Sequence, residues 1–285
     1  LFVALGLQEF ARATGEERWR ASAKDILFRR LAEYDASDYT YTVSYAVPEG
    51  SSPPAITGPR VLGHWMVTLD IATRMLESVP DPDIEKLADR CVDAVMNRHF
   101  NPEFSLQNEV INHDFSRHPG YAGFSYTGHA IETYWMIMRE AVRTKDRTLW
   151  DNALGRFRRH VETAWDDVYG GAFRALYDVD ANVWATDKVS WLQEEILIGS
   201  MRMIEHAGDS WAYKWFGRVW EYILDRFALK RYGFPLWNYH TNRKAEFERH
   251  APTIEPFHHP RHLIENLISI EAMMKRGETP SGIFG

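Results

Sequence analysis

Cysteine is nearly absent: Cys91 is the one thiol in 285 residues. That excludes an intramolecular disulfide framework, so burial of apolar surface must hold the fold. Also missing is any apolar run near the roughly 18–20 residues of a membrane-crossing helix. Nothing at the start has the charged, apolar, then small-residue order of a secretory signal peptide. No basic block occurs and the net charge is −7, which sets nucleic acid aside as a partner. These absences lead us to expect a cytoplasmic protein with no membrane role. An initial methionine is lacking too: residue 1 is Leu1, and "LFVALGLQEFARATG" is already helical in period. The chain is therefore expected to begin inside a fold, as a fragment.

What is present is apolar and aromatic bulk. The chain is 45% hydrophobic and 14% aromatic, enough for a sizeable core in one large domain or two small ones. Eleven tryptophans are many, and such rings stack on flat ligand faces, sugars included, as well as filling cores.

Apolar periodicity predicts helices near 1–14, 16–34, 60–79, 83–98, 128–144, 146–163, 187–206, 209–228 and 260–275. Long irregular segments follow the second and fourth helices, and loops of that length are usually functional or disordered. "WDDVYGGAFRALYDVDANVWATDK" reads as a hairpin turning at Asp178 and Asp180, and "RYGFPLWNYHTNRK" repeats the theme. Helical hairpins recurring at roughly 60 residues predict an all-α closed or curved array of helix pairs, one domain over 1–285.

The titratable residues fall at helix starts. His64, His129 and Lys188 with Trp191 lie near the beginnings of three helices, and His258 just before a fourth. These are alternate helices. In a ring of helix pairs, alternate helices form the inner layer and run one way, so their N-termini meet at one mouth. Unpaired N–H groups and positive dipole ends there favour negative charge. Spacing places His129 and Glu132 on one helical face, and Lys188, Trp191 and Glu195 on another.

The motifs "GHAIETYW" (128–135), "KVSWLQEE" (188–195) and "PFHHPRHL" (256–263) resemble those of the N-acylglucosamine 2-epimerase superfamily. That superfamily includes cellobiose 2-epimerases and aldose–ketose isomerases of the mannose and sulfoquinovose type. The opening helix and "DDVYGGAF" lend weaker support, and the resemblance runs along nearly the whole chain. It implies an (α/α)6 barrel, an all-α toroid of twelve helices, of which about three would lie before Leu1. It also implies that His129, in G-H-x-I-E, and His258, in P-F-H-x-P-R, match two catalytic histidines. Glu132 matches the carboxylate partnering the first, and His64, in "LGHWMV", a substrate-binding histidine. There are departures. Leu62 and Met66 replace an Asn and a second His, Ser190 replaces the first of two tryptophans, Glu194 replaces Ala, and Thr253 replaces a Trp. His259 fills a variable slot. An arginine from the family's N-terminal region would fall before Leu1. The departures bear on which sugar is bound and leave the two histidines untouched.

The implied chemistry suits histidine. Moving stereochemistry or a carbonyl at C2 of a sugar requires removing the proton alpha to the C1 aldehyde, giving a cis-enediolate. A base with pKa near 7 is appropriate, and a second group must return a proton. The candidates are His129, His258 and Glu132 for catalysis, and His64, Lys188, Trp191, Glu195 and Arg261 for substrate binding. Arg261 is read as a stabiliser of negative charge or as a structural link at a helix start. The partner is a small-molecule sugar, with a homodimer left open.

No cofactor and no metal is expected. The tight cluster visible in sequence is His258, His259 and His262, and a metal would take histidines away from catalysis. His99, His113, His118, His160, His206, His240 and His250 are read as surface or structural. Two alternatives remain. One is a glycoside hydrolase on the same barrel, using carboxylates such as Glu109, Asp114 and Asp187. The other is a catalytically silent sugar-binding protein. If helices precede Leu1, the first helix should present Phe2, Leu5 and Leu7 to a gap, and the last helix Leu267 or Ile270.

Overall fold

The computed structural model describes residues 1–47, 50–229, 238–246 and 256–284. These residues form two compact units, 1–125 and 126–285.

The first unit contains α1 (Phe2–Thr14), α2 (Glu17–Asp35), α3 (Leu62–Ser78) and α4 (Pro82–Asp93), the last running into a π turn at Ala94–Arg98. Helix α1 packs on α2 and α3, and α3 on α4. The second contains α5 (Thr127–Thr144), α6 (Arg147–Ala164), α7 (Ser190–Ala207), α8 (Ser210–Arg226) and α9 (His258–Lys275). Here α5 pairs with α6 and α7 with α8, while α7 also packs against α5 and α9.

Burial separates inner from outer helices. Helices α3, α5 and α7 are buried almost all the way round. Helices α4, α6 and α8 are buried along one stripe, as polar-backed helices facing a core should be. The predicted helices are thus all found, with boundaries shifted by up to about three residues.

Outer helices carry their own start signals. Asp81, Asp146 and Asp209 precede α4, α6 and α8, and each accepts hydrogen bonds from backbone N–H groups of the first turn. The αα links are correspondingly tight. Lys145 (φ 58°) and Gly208 (φ 63°) take the left-handed conformation that ends α5 and α7, and the capping Asp follows directly.

Inner helices have no side-chain cap and start against neighbouring backbone. Strand β1 (Thr40–Tyr41) pairs with β2 (Ile56–Thr57), and β4 (Phe100–Asn101) with β5 (Leu106–Gln107). Strand β3 (Arg60–Val61) pairs with β6 (Val110–Ile111) and runs directly into α3, whose Leu62 N–H donates to the Glu109 carbonyl at 2.8 Å. In the second unit, β7 (Ala175–Asp178) and β8 (Val183–Ala185) form the expected hairpin. Strand β9 (Lys188–Val189) pairs with β10 (His240–Thr241) and runs into α7. At the start of α5, Thr127 Oγ1 donates to the Phe173 carbonyl (2.6 Å) and Gly128 N–H to that of Arg174 (3.1 Å). These ties hold the inner N-termini in place. Of the second predicted hairpin, 231–244, the first half (231–237) lies outside the described residues, as do Thr253 and His250, and its second half contains β10.

Helix α1 exposes Phe2, Val3 and Phe10, whereas Leu5 is buried, against expectation. Helix α9 exposes Ile264, Leu267, Ile268 and Met274, with Ile270 at 37% exposure. Among the described residues, no helix is long and apolar enough to cross a membrane.

Two histidines read as structural are wholly buried. His99 Nδ1 bonds the Asn108 carbonyl and His160 Nδ1 that of Arg156, each at 2.7 Å. Burial lowers both from 6.5 to about 4, so each ring is neutral in the fold. The folded pKa is depressed, so this contribution is complete above about 6.5 and is lost as pH falls toward 4. We expect the unfolding free energy to fall by about 1–2 kcal/mol per histidine between pH 7 and pH 5. Urea titrations at the two pH values check this. His99→Gln should flatten the dependence by one histidine's share.

Candidate functional site

Three aromatic side chains meet where α5, α7 and α9 begin. His129 lies in the first turn of α5, Trp191 is the second residue of α7, and His258 is the first residue of α9. The Trp191 indole lies 5.2 Å from the His258 ring and 6.2 Å from the His129 ring, centroid to centroid. Both histidines are half-buried. Tyr126, just before α5, stacks on Trp191 at 6.2 Å and 18°, and its ring lies 4.5 Å from that of His129. Phe257 packs edge-on against His258 at 5.1 Å.

Glycine makes room for the indole. A Cβ on Gly128 would sit 2.4 Å from the Trp191 ring. Gly128→Ala should therefore overpack the site and destabilise the fold by about 1–3 kcal/mol, read as a lowered urea midpoint. An unchanged midpoint would mean that Trp191 swings aside freely.

A charged layer adjoins His258. The Arg261 guanidinium donates to Glu132 and, at 2.6 Å, to Glu195 Oε1. Trp135 Nε1–H donates to the other Glu195 oxygen, also at 2.6 Å. The Arg261 cation also stacks over Phe257 (4.6 Å) and Trp135 (5.4 Å). One ligand-capable atom each of Glu132, Glu195 and His258 falls within 4.8 Å of the others. Burial pushes Glu195 up to about 7, against the pull of Arg261 and with a further push from Glu132. Deeper, Glu265 of α9 meets Arg202 of α7 at 2.6 Å and Arg139 of α5 at 3.6 Å, so ionic contacts knit α5, α7 and α9.

The structure thus brings His129, Trp191, His258, Glu132, Glu195 and Arg261 into one region of the second unit. Of the two readings of Arg261, the structural link is the one visible. Glu132 bonds Arg261 and lies beside His258, and it shares helix α5 with His129.

Lys188 needs correction. It lies in β9, before α7 begins, so the helical-face argument linking it to Trp191 and Glu195 does not apply. Its ammonium is fully buried, bonded to Asp166 at 3.1 Å and to the Gly170 carbonyl. Arg243 holds the same Asp166 with two bonds of 2.9 and 3.0 Å. Burial lowers the Lys188 pKa to about 8 despite Asp166.

His64 lies in the first turn of α3 in the first unit. Its ring meets Tyr34 at 5.1 Å and Tyr41 at 4.7 Å, and it lines a cavity of about 210 Å³ with Tyr39 and Thr68. The carboxylates considered for hydrolysis have other partners. Glu109 accepts from Tyr45 Oη (2.7 Å) and lies 3.4 Å from Gly63 N at the start of α3. Asp114 caps a turn at Ser116, and Asp187 bonds Arg174 and His240.

Tyr126, Trp135 and Phe257 were not singled out from sequence. Trp135 carried a signal, lying three residues beyond Glu132 and so on its helical face. Tyr126 precedes the helix and had none.

Residues 2–262 match the family model for N-acylglucosamine 2-epimerase. The N-acylglucosamine 2-epimerase of Bos taurus is 24% identical over 292 residues, an alignment covering 94% of this chain and 65% of that protein. The chain thus spans just under two thirds of that relative's length. A sugar epimerase from a ruminal bacterium superposes with a TM-score of 0.73 at 17% identity, covering 96% of this chain and 70% of the other. The cellobiose 2-epimerase of Bacillus thermoamylovorans B4167 gives 0.71 at 15% identity, covering 93% and 69%. These likenesses show the all-α fold class of the (α/α)6 barrels.

Proposed function

The chain belongs to the N-acylglucosamine 2-epimerase family, and on that premise we propose that it interconverts sugars at C2, as a 2-epimerase or an aldose–ketose isomerase. The observation that carries this reading is the placement of His129 and His258 against one indole at three converging helix starts.

An open-chain aldose lies against Trp191, with C2 between the histidine rings. One neutral imidazole takes the C2 proton. The C–H electron pair becomes the C1–C2 double bond, and the carbonyl π pair moves onto O1, giving the cis-enediolate. Helix N-termini favour that charge. In epimerisation the other histidine, as imidazolium, returns a proton to C2 from the opposite face. In isomerisation the O2 proton passes to O1 and the imidazolium that took the C2 proton delivers one to C1, leaving a C2 ketone and a C1 hydroxymethyl group. Arg261, held between Glu132 and Glu195, acts as a positioning residue for His258, which stands just before it on the first turn of the same helix. The substrate is a neutral aldose, in keeping with a site whose visible cation is already paired with carboxylates.

The test is product analysis with the protein and a panel of N-acetylglucosamine, mannose, glucose and cellobiose. The reading expects at least one to be converted, with mass conserved, to its C2 epimer or ketose. Release of monosaccharide from cellobiose would favour the hydrolase alternative, and binding without any product the silent one.

A further inference from the structure

Glu194, His259 and His262 form a second cluster, made from α7 and α9 and used by no step above. All three are buried, at 1%, 6% and 1% exposure. One ligand-capable atom of each lies within 4.8 Å of the others. His259 Nδ1 is 2.6 Å from Glu194 Oε1, and His262 Nδ1 is 3.6 Å from the same oxygen, beyond hydrogen-bonding distance. His259 and His262 are three apart on one face of α9, with ring centroids 5.1 Å apart.

This arrangement leaves polar atoms without partners. Glu194 Oε2 and both ring nitrogens of His262 are buried and make no hydrogen bond. Leaving such groups unpaired costs about 1–3 kcal/mol each. A divalent cation would accept lone pairs from all three side chains and balance the carboxylate. Burial lowers the His262 pKa, which keeps the ring in its neutral, ligating form. The neighbouring trio of Glu132, Glu195 and His258 is equally close but already holds a cation, the Arg261 guanidinium.

The objection raised from sequence also disappears. A cluster of His258, His259 and His262 would have drawn a histidine out of catalysis. In the structure His258 stands with Trp191, and Glu194 takes its place in the cluster.

We propose that Glu194, His259 and His262 bind a first-row divalent metal ion, with zinc the best match to a two-imidazole, one-carboxylate donor set, tying α7 to α9. Tetrahedral zinc with bonds near 2.0–2.1 Å sets ligand atoms about 3.3 Å apart. The present separations of 2.6 and 3.6 Å lie on either side, so small side-chain adjustments suffice. One coordination position is left for a water. The tie is structural and sits beside the catalytic histidine without contributing a reacting group.

The test uses the whole chain, stripped with chelator and then equilibrated with Zn2+ or Co2+. About one equivalent of metal per chain should be retained on gel filtration, with a rise in melting temperature. The cobalt form should show visible bands of a low-coordinate nitrogen–oxygen site. His262→Ala and the near-isosteric Glu194→Gln should each weaken zinc binding by roughly tenfold or more, with the fold confirmed by circular dichroism. His118→Ala, on the surface of the first unit, should leave it unchanged. Substoichiometric zinc at micromolar free metal, or equal retention in wild type, His262→Ala and Glu194→Gln, overturns the assignment and marks any metal found as adventitious.

Discussion

Replacing His258 by alanine should lower conversion of the accepted sugar by about 10²–10⁴-fold, the usual contribution of a positioned general acid or base. His129→Ala should do the same. Each ring is half-buried and flanked by aromatic faces, and the carboxylates beside His258 keep Arg261 as their partner when the ring is removed. Both variants should keep the wild-type circular dichroism. The two need not fail alike. The variant lacking the initial base should lose proton exchange into recovered substrate, whereas the other should retain exchange while forming no product. His259→Ala should be far milder in rate, because that ring bonds Glu194 and not the Trp191 layer. Losses below about tenfold in both His129→Ala and His258→Ala would remove the histidines from the chemistry.

Arg261→Met should be the most destabilising substitution at the site. Arg261 is the partner of Glu132 and Glu195, whose side chains are 3% and 0% exposed. Its loss leaves two buried carboxylates side by side, and breaking such a pair from one end costs about 3–5 kcal/mol. The effect should depend on pH. Burial raises the folded pKa of Glu195 from the ordinary 4.5 to about 7. Its favourable contribution is therefore complete below about 4.5 and is lost as pH rises through 7, because the folded state holds the proton more tightly. Without Arg261 that penalty on ionisation grows, so the variant should be closer to wild type at pH 5 than at pH 8. Urea denaturation at both values reads this directly. Arg261→Lys should recover part of the loss, since one ammonium cannot reproduce a guanidinium bonded to two carboxylates. A loss below about 1 kcal/mol at pH 8 would show that water or another cation supplies the missing charge.

Much of this was legible in the chain itself. Helices showed in their apolar period, and the Asp-capped starts of α4, α6 and α8 are local signals that sequence carries openly. The inner helices are different. Their first N–H groups find carbonyls such as Glu109 and Arg174, which are distant in sequence. No capping side chain marks those starts, and this is why the beginning of α7 was placed too early and Lys188 was put on a helix it precedes. His129, Trp191 and His258 were legible because each stands beside a helix start within a recognisable motif. What sits between them was not. Whether Arg261 bridges Glu132 and Glu195, or Glu194 faces His259, depends on how α5, α7 and α9 turn against one another, and spacing along one helix carries no information about that.

The central claim is that a histidine removes the C2 proton of a sugar, and solvent deuterium exchange tests it most directly. The accepted sugar would be converted in deuterated water and the product examined by NMR. The account predicts deuterium at C2 of an epimer or at C1 of a ketose, with incorporation into product lost in His129→Ala and His258→Ala. Turnover that keeps the original hydrogen, with no deuterium in product or recovered substrate, would contradict it and point to a direct hydride shift between C1 and C2.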